Sequence, residues 1–154
     1  MTELIVVPPI AYSTYIAVPP ARVYETLSTG AGWDAWFTQG TEVDPRPGGH
    51  ICLRWVNFAA GHWTLEDGGQ VLEAEPDRKL SFRWTPIPSS TTVTFTLEPL
   101  GPGTLVKLVE TGYGPEDLEA LTTCSLGWGE ALTLLKFYLE HGVTYGPVPD
   151  AGES

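Results

Sequence analysis

Residues 118–139 read LEALTTCSLGWGEALTLLKFYL. In this stretch Leu118, Leu121, Ser125, Trp128, Leu132, Leu135 and Leu139 recur at steps of three and four. That spacing lays side chains along one face of an α-helix. Leu126, Leu134, Phe137 and Tyr138 widen the stripe. Glu116 and Asp117, after Gly114-Pro115, suit the first turn, where negative charge meets the helix dipole. His141 and Gly142 supply the stop, since glycine accepts the left-handed C-cap. A helix this apolar needs a broad surface to lie on.

The chain upstream provides that surface. Tyr12–Val18 is rich in β-formers and ends at Pro19-Pro20. Ala21–Leu27 and Gly32–Phe37 read as two short helices. From Gly40 to Thr111 the pattern is β. His50–Phe58 puts Ile51, Leu53 and Trp55 on one side. Gly61 and Gly68-Gly69 punctuate two further strands, His62–Glu66 and Gln70–Glu75. Lys79–Trp84 turns Leu80, Phe82 and Trp84 inward, and Thr91–Leu97 turns Val93, Phe95 and Leu97 inward. Leu100-Gly101-Pro102-Gly103 is a hairpin turn before Thr104–Thr111. Short strands joined by tight turns form an antiparallel meander. The predicted class is α+β, a curved antiparallel sheet of about six or seven strands wrapped around a long C-terminal helix. Two short helices follow the first strand.

A length of 154 residues suits one domain, here spanning 1–145, with 146–154 a flexible tail. Eight basic against 19 acidic residues leave a net charge of −11, which repels nucleic acid and anionic membrane surfaces. The two cysteines, Cys52 and Cys124, make no disulfide framework and no multi-cysteine zinc site. There is no run of about 18 apolar residues and no secretory leader, so the expected setting is a reducing cytoplasm without membrane insertion.

The order strand, two short helices, meander, long helix is the helix-grip layout. The residues that carry it are Val18–Tyr24, Trp33–Phe37, Pro47–Ile51, Gly69–Leu80 leading to Phe82 and Trp84, Thr104–Gly112 and Leu126–Leu139. Together these motifs resemble the START-like (SRPBCC) superfamily, in the branch that includes the C-terminal domain of the Hsp90 ATPase activator Aha1. The resemblance runs from about Tyr12 to Gly142. It implies a long helix that does not seal fully on the sheet. It also implies one of several roles: co-chaperone domains, lipid and polyketide binders, and self-sacrificing resistance proteins all share the fold.

The aromatic set is the most informative for function, with six tryptophans in the chain. Trp36, Trp55, Trp63, Phe82, Trp84, Phe95 and Trp128 fall on elements facing the space between sheet and helix. They either fill a solid core or wall an apolar cavity, and Ser125 would be a polar point on that wall. Arg54 and Glu110 lie on strands of ambiguous face, and the solvated reading is preferred for both. His50 and His62 sit on neighbouring β segments, but no HxH, HExxH or CxxC spacing accompanies them, and no metal or cofactor is expected. No GxSxG elbow or phosphate loop occurs, and Cys124 suits packing more than nucleophilic attack.

The leading expectation is therefore non-catalytic binding of a small hydrophobic, aromatic or lipid-like molecule between sheet and helix. The alternative is a protein-interaction module of the Hsp90 co-chaperone type, acting in stress response. The separate N-terminal domain of the full activators has no counterpart here, which weighs against ATPase stimulation. A cyclase- or hydrolase-type enzyme ranks third. Leu4-Ile5-Val6-Val7 is more apolar than a free tail and suggests pairing with a sheet edge or with a second subunit in a homodimer.

Overall fold

The computed structural model describes residues 6–58 and 61–144. Strand β1 (Ile10–Ile16) gives way at Pro19 to helix α1 (Pro20–Leu27). Pro20 sits in the first turn, where its missing N–H costs nothing. Thr29 caps α2 (Gly30–Trp36), its hydroxyl accepting the Gly32 N–H at 3.0 Å. Strands β2 (Glu42–Val43), β3 (His50–Phe58), β4 (Trp63–Glu75), β5 (Lys79–Trp84), β6 (Thr91–Leu100) and β7 (Gly103–Thr111) follow. A 3₁₀ turn at Pro115–Asp117 opens the long helix α3 (Leu118–His141). Gly142 closes it with φ of 70°, the left-handed cap that its lack of a Cβ permits. The strands form one antiparallel sheet in the order β1-β7-β6-β5-β4-β3-β2. This is the expected α+β helix-grip architecture.

Three details depart from the sequence reading. The segments His62–Glu66 and Gln70–Glu75 belong to one continuous strand, β4. Gly68 is no turn there: a Cβ on it would lie 2.0 Å from the Ile51 carbonyl oxygen, so glycine is what lets β3 and β4 come together. The first part of β4 pairs with β3, from Trp63 to Gln70, and the rest pairs with β5 from Val71 onward. The β3–β4 hairpin therefore extends beyond β5 as an arm. The two-residue strand β2 was also not foreseen. Lastly, the buried side chains of α3 are Trp128, Ala131, Leu132 and Leu135, while Leu118 and Leu126 are exposed. Trp128, Leu132 and Leu135 of the predicted stripe are buried, so the stripe departs from the structure only toward its N-terminal end, where Leu118 and Ser125 are exposed.

Two masses of side chains fix the elements. Under α2, Trp33 and Trp36 are fully buried and stack at 5.0 Å, and Trp33 meets Phe82 and Phe95 edge-on. The Trp33 indole donates to the Leu27 carbonyl at 2.7 Å, as a buried indole N–H requires. At the other side, the C-terminal half of α3 rests on β1. Leu132 and Leu135 are buried, Lys136 donates to the Tyr15 carbonyl, and Glu140 accepts the Ala17 N–H at 2.8 Å. Of the N-terminal apolar stretch, Val7 packs against the core and Val6 is exposed, while Leu4 and Ile5 lie outside the described residues. The expected tail, 146–154, lies outside them too.

Candidate binding cavity

The N-terminal half of α3 does not close on the sheet. Between it and the β3–β4 arm lies an open-mouthed cavity of about 390 Å³, within the range of small-molecule sites. Its walls come from four places. Strand β3 contributes Trp55 and Phe58; β4 contributes Trp63, Leu65 and Asp67. The end of β5 and the following loop contribute Trp84, Thr85 and Pro86, and α3 contributes Thr123, Cys124, Gly127 and Trp128. Phe37, just after α2, closes the floor. Period-2 alternation explains the strand residues: Trp55 pairs with Leu65 across the hairpin, and Asp67 with the buried Leu53. Helical spacing explains the others, since Thr123 and Gly127, like Cys124 and Trp128, are four apart.

Behind this wall lies a buried carboxylate. Glu110, on β7, is 0% exposed. Its Oε2 accepts the Trp84 indole N–H and the Thr91 hydroxyl, each at 2.6 Å, and its Oε1 accepts the Trp128 indole N–H at 2.9 Å. One side chain thus fixes two cavity tryptophans, from β5 and from α3. The preferred solvated reading of Glu110 is corrected. The signal was present, because Thr104, Val106 and Leu108 precede Glu110 at alternate positions and all four are buried. Burying a carboxylate requires this degree of hydrogen bonding. Arg54 is exposed. The aromatic rings form a chain around the cavity: Phe37 edge-on to Trp55 at 5.5 Å, Trp55 to Trp84 at 6.4 Å, and Trp84 to Trp128 at 5.5 Å. The chain continues from Trp128 to Phe95 at 5.8 Å, which joins the cavity to the solid core.

Cys124 is partly buried on the helical wall. Burial pushes its thiol above the ordinary value, Glu110 and Asp67 add to this, and a contact with Tyr113 opposes it. Burial also pushes the Tyr113 phenol far up, helped by Cys124 and Glu110. Neither group is activated by its surroundings. Among the described residues, no group of three or more His, Cys, Asp or Glu side chains is placed to hold a metal ion. No helix among them is long and apolar enough to cross a membrane.

A family profile described as "Activator of Hsp90 ATPase homolog 1-like protein" matches residues 17–140. The chain belongs to that family. No curated protein sequence matches it significantly. Among solved structures, protein MLL2253 from Mesorhizobium loti superposes with a TM-score of 0.73 at 22% identity, covering 88% of this chain and 98% of that one. The Aha1 dimer from Colwellia psychrerythraea gives 0.71 at 21%, covering 88% and 98%. DynU16, from the dynemicin biosynthetic locus, gives 0.74 at 18%, covering 90% of this chain and 49% of that one. At these identities the likeness concerns the fold.

In this Aha1-type domain the predicted site residues divide into three groups. Trp55, Trp63, Trp84 and Trp128 are brought together around the cavity. Trp36, Phe82 and Phe95 are not on it; all three are fully buried in the core, because α2 covers that end of the sheet. Ser125 is exposed, and its hydroxyl donates back to the Leu121 carbonyl at 2.7 Å. Its place on the wall is corrected, since the neighbouring Cys124 occupies the face that looks inward. The sequence reading missed Phe37, Asp67 and Gly127 as lining residues, and Glu110 as their support.

Proposed function

We propose that this domain binds a small apolar or aromatic molecule in the cavity between the β3–β4 arm and α3, without performing chemistry on it. The observation that carries this reading is the wall itself. Four tryptophans and two phenylalanines surround open space of about 390 Å³, in a protein whose other end packs the same residue types into a solid core. Trp63 is 54% exposed at the rim, where a ring of that size stays wet unless something covers it. Burying ligand surface against these rings supplies affinity at about 25 cal/mol per Å² of apolar area, less the cost of association. A binding role without catalysis agrees with the state of the Cys124 thiol on the wall and of the Glu110 carboxylate behind it. Glu110 is committed on both oxygens to three donors, and burial pushes the Cys124 thiol up, which disfavours the thiolate. We place this activity in the cytoplasm.

Thermal shift and native mass spectrometry with neutral aromatic and lipid-like compounds test the reading. A one-to-one adduct with a rise in Tm of several degrees is the expected result. Absence of both across such a panel overturns it.

A second reading, a co-chaperone role on an Hsp90-type partner, draws on the family description alone. A pull-down that retained no chaperone at tens of micromolar would end it. A homodimer is the assembly we favour, because the Colwellia relative is a dimer and β1 is an edge strand here. Solution scattering giving a monomer mass would remove that assembly.

A further inference from the structure

The charged groups of the described cavity lining are all of one sign. The charged lining residues are Glu66 and Asp67, and none of the described lining residues is Lys, Arg or His. Glu66 alternates to the outer face, opposite Arg54. Asp67 is left as the acid on the inner face, half-buried. Its carboxylate is held rigidly: Oδ1 accepts the Thr85 hydroxyl at 2.7 Å, the Thr85 N–H at 2.9 Å and the Gly68 N–H at 2.7 Å. Among the described residues, its Oδ2 accepts only the shared Thr85 N–H, at 3.0 Å. That oxygen keeps capacity for a further donor.

The donors that an anionic ligand would need are largely spent. The indole N–H groups of Trp84 and Trp128 are both given to Glu110. The Trp55 indole nitrogen is sealed from solvent. Among the described lining residues, the Trp63 indole at the rim, the Thr123 hydroxyl and the sealed, unpartnered Trp55 indole remain. The cavity therefore sets aromatic rings beside a fixed carboxylate. This is the combination that attracts an organic cation and repels a carboxylate. At the opposite wall, burial first and then the charges of Glu110 and Asp67 push the Cys124 thiol up, in keeping with negative charge about the cavity. A net charge of −11 draws cations toward the protein from a distance.

We propose that the cavity selects an apolar or aromatic molecule bearing an ammonium group, which Asp67 holds among the indole faces. This rests on the cavity being a binding site and adds the class of ligand.

Three probes with one apolar body separate the two claims: 2-naphthylmethylamine, 2-naphthalenemethanol and 2-naphthoate, titrated at pH 7.5 in low salt by tryptophan fluorescence. The amine is expected to bind at least tenfold more tightly than the alcohol, and the naphthoate more weakly than either. Raising the salt tenfold should narrow the amine preference. Asp67→Asn should reduce it to under threefold, while Glu98→Gln, away from the cavity, should leave it intact. If the alcohol binds and the amine binds no better, the ammonium proposal is overturned and the cavity reading stands. An amine preference that survives Asp67→Asn overturns the role of Asp67. If no probe binds, both claims fall. Should Asp67→Asn not fold, the probe ranking in the unaltered protein and its salt dependence decide the matter.

Discussion

The two halves of α3 lie on the same sheet and behave differently. From Trp128 to Leu135 the helix presents buried side chains, and Lys136 and Glu140 tie its end to the backbone of β1 and of Ala17 just after it. From Leu118 to Gly127 it stands away from the sheet, with Leu118 and Leu126 in solvent and Thr123, Cys124 and Gly127 over the cavity. Trp128 is the hinge between the two regimes, since its ring meets Phe95 of the core and its indole meets Glu110. The lesson is that an apolar helix need not be a sealed one. The closed half provides stability, and the open half keeps space that the aromatic arm of β3 and β4 frames.

Substitutions should separate these halves. The largest expected effect is in the closed half: Leu135→Ala removes a fully buried side chain and should cost about 2–5 kcal/mol in urea unfolding. Glu110→Ala, at the junction, leaves two indole N–H groups and a hydroxyl without their acceptor, and should cost about 2–4 kcal/mol. It should also free the Trp84 and Trp128 rings, which a change in tryptophan fluorescence anisotropy would detect. A smaller effect, of opposite sign, belongs to the two glycines on either side of Trp128. A Cβ on Gly127 or Gly129 meets nothing within 4 Å, so either change to alanine should stabilise the helix by about 0.5–1 kcal/mol. Only Gly127→Ala should weaken probe binding, because Gly127 lines the cavity and Gly129 does not. Equal effects on binding would break the distinction between the two positions.

The smallest effect concerns acid. The Ala17 N–H, and then Lys136, hold the Glu140 carboxyl below its ordinary value of 4.5. A depressed folded-state pKa contributes stability that is present above the unfolded value and lost as pH falls through the folded one. Acid should therefore loosen the closed half below about pH 4.5, and Glu140→Gln should flatten that part of the pH–stability curve. An unchanged acid limb in the variant would remove Glu140 from the account.

Much of this was legible in the sequence. The 3–4 spacing of Leu132, Leu135 and Leu139 located α3, and alternation located β3, β5 and β6 with their inward residues. What alternation and spacing leave open is which buried aromatics touch space and which touch each other. Trp36 and Trp55 look alike in sequence. They differ because α2 covers the sheet over Trp36, while the arm made possible by Gly68 carries Trp55 outward. Gly68-Gly69 read as a turn because the close approach of β3 is a tertiary fact. Ser125 was placed on the wall because the stripe was set by counting leucines, and two of those leucines, Leu118 and Leu126, face water. Glu110 could have been read correctly by carrying the alternation of Val106 and Leu108 one step further, against the usual cost of burying a charge.

The central claim is that space, and not only packing, separates the tryptophans. Indole N–H resonances in a ¹H–¹⁵N NMR spectrum report each of the six tryptophans separately, and a titration with 2-naphthalenemethanol reads the claim directly. The account predicts that the signals of Trp55, Trp63, Trp84 and Trp128 move while those of Trp33 and Trp36 stay in place. Movement of none, or movement led by Trp33 and Trp36, would contradict it.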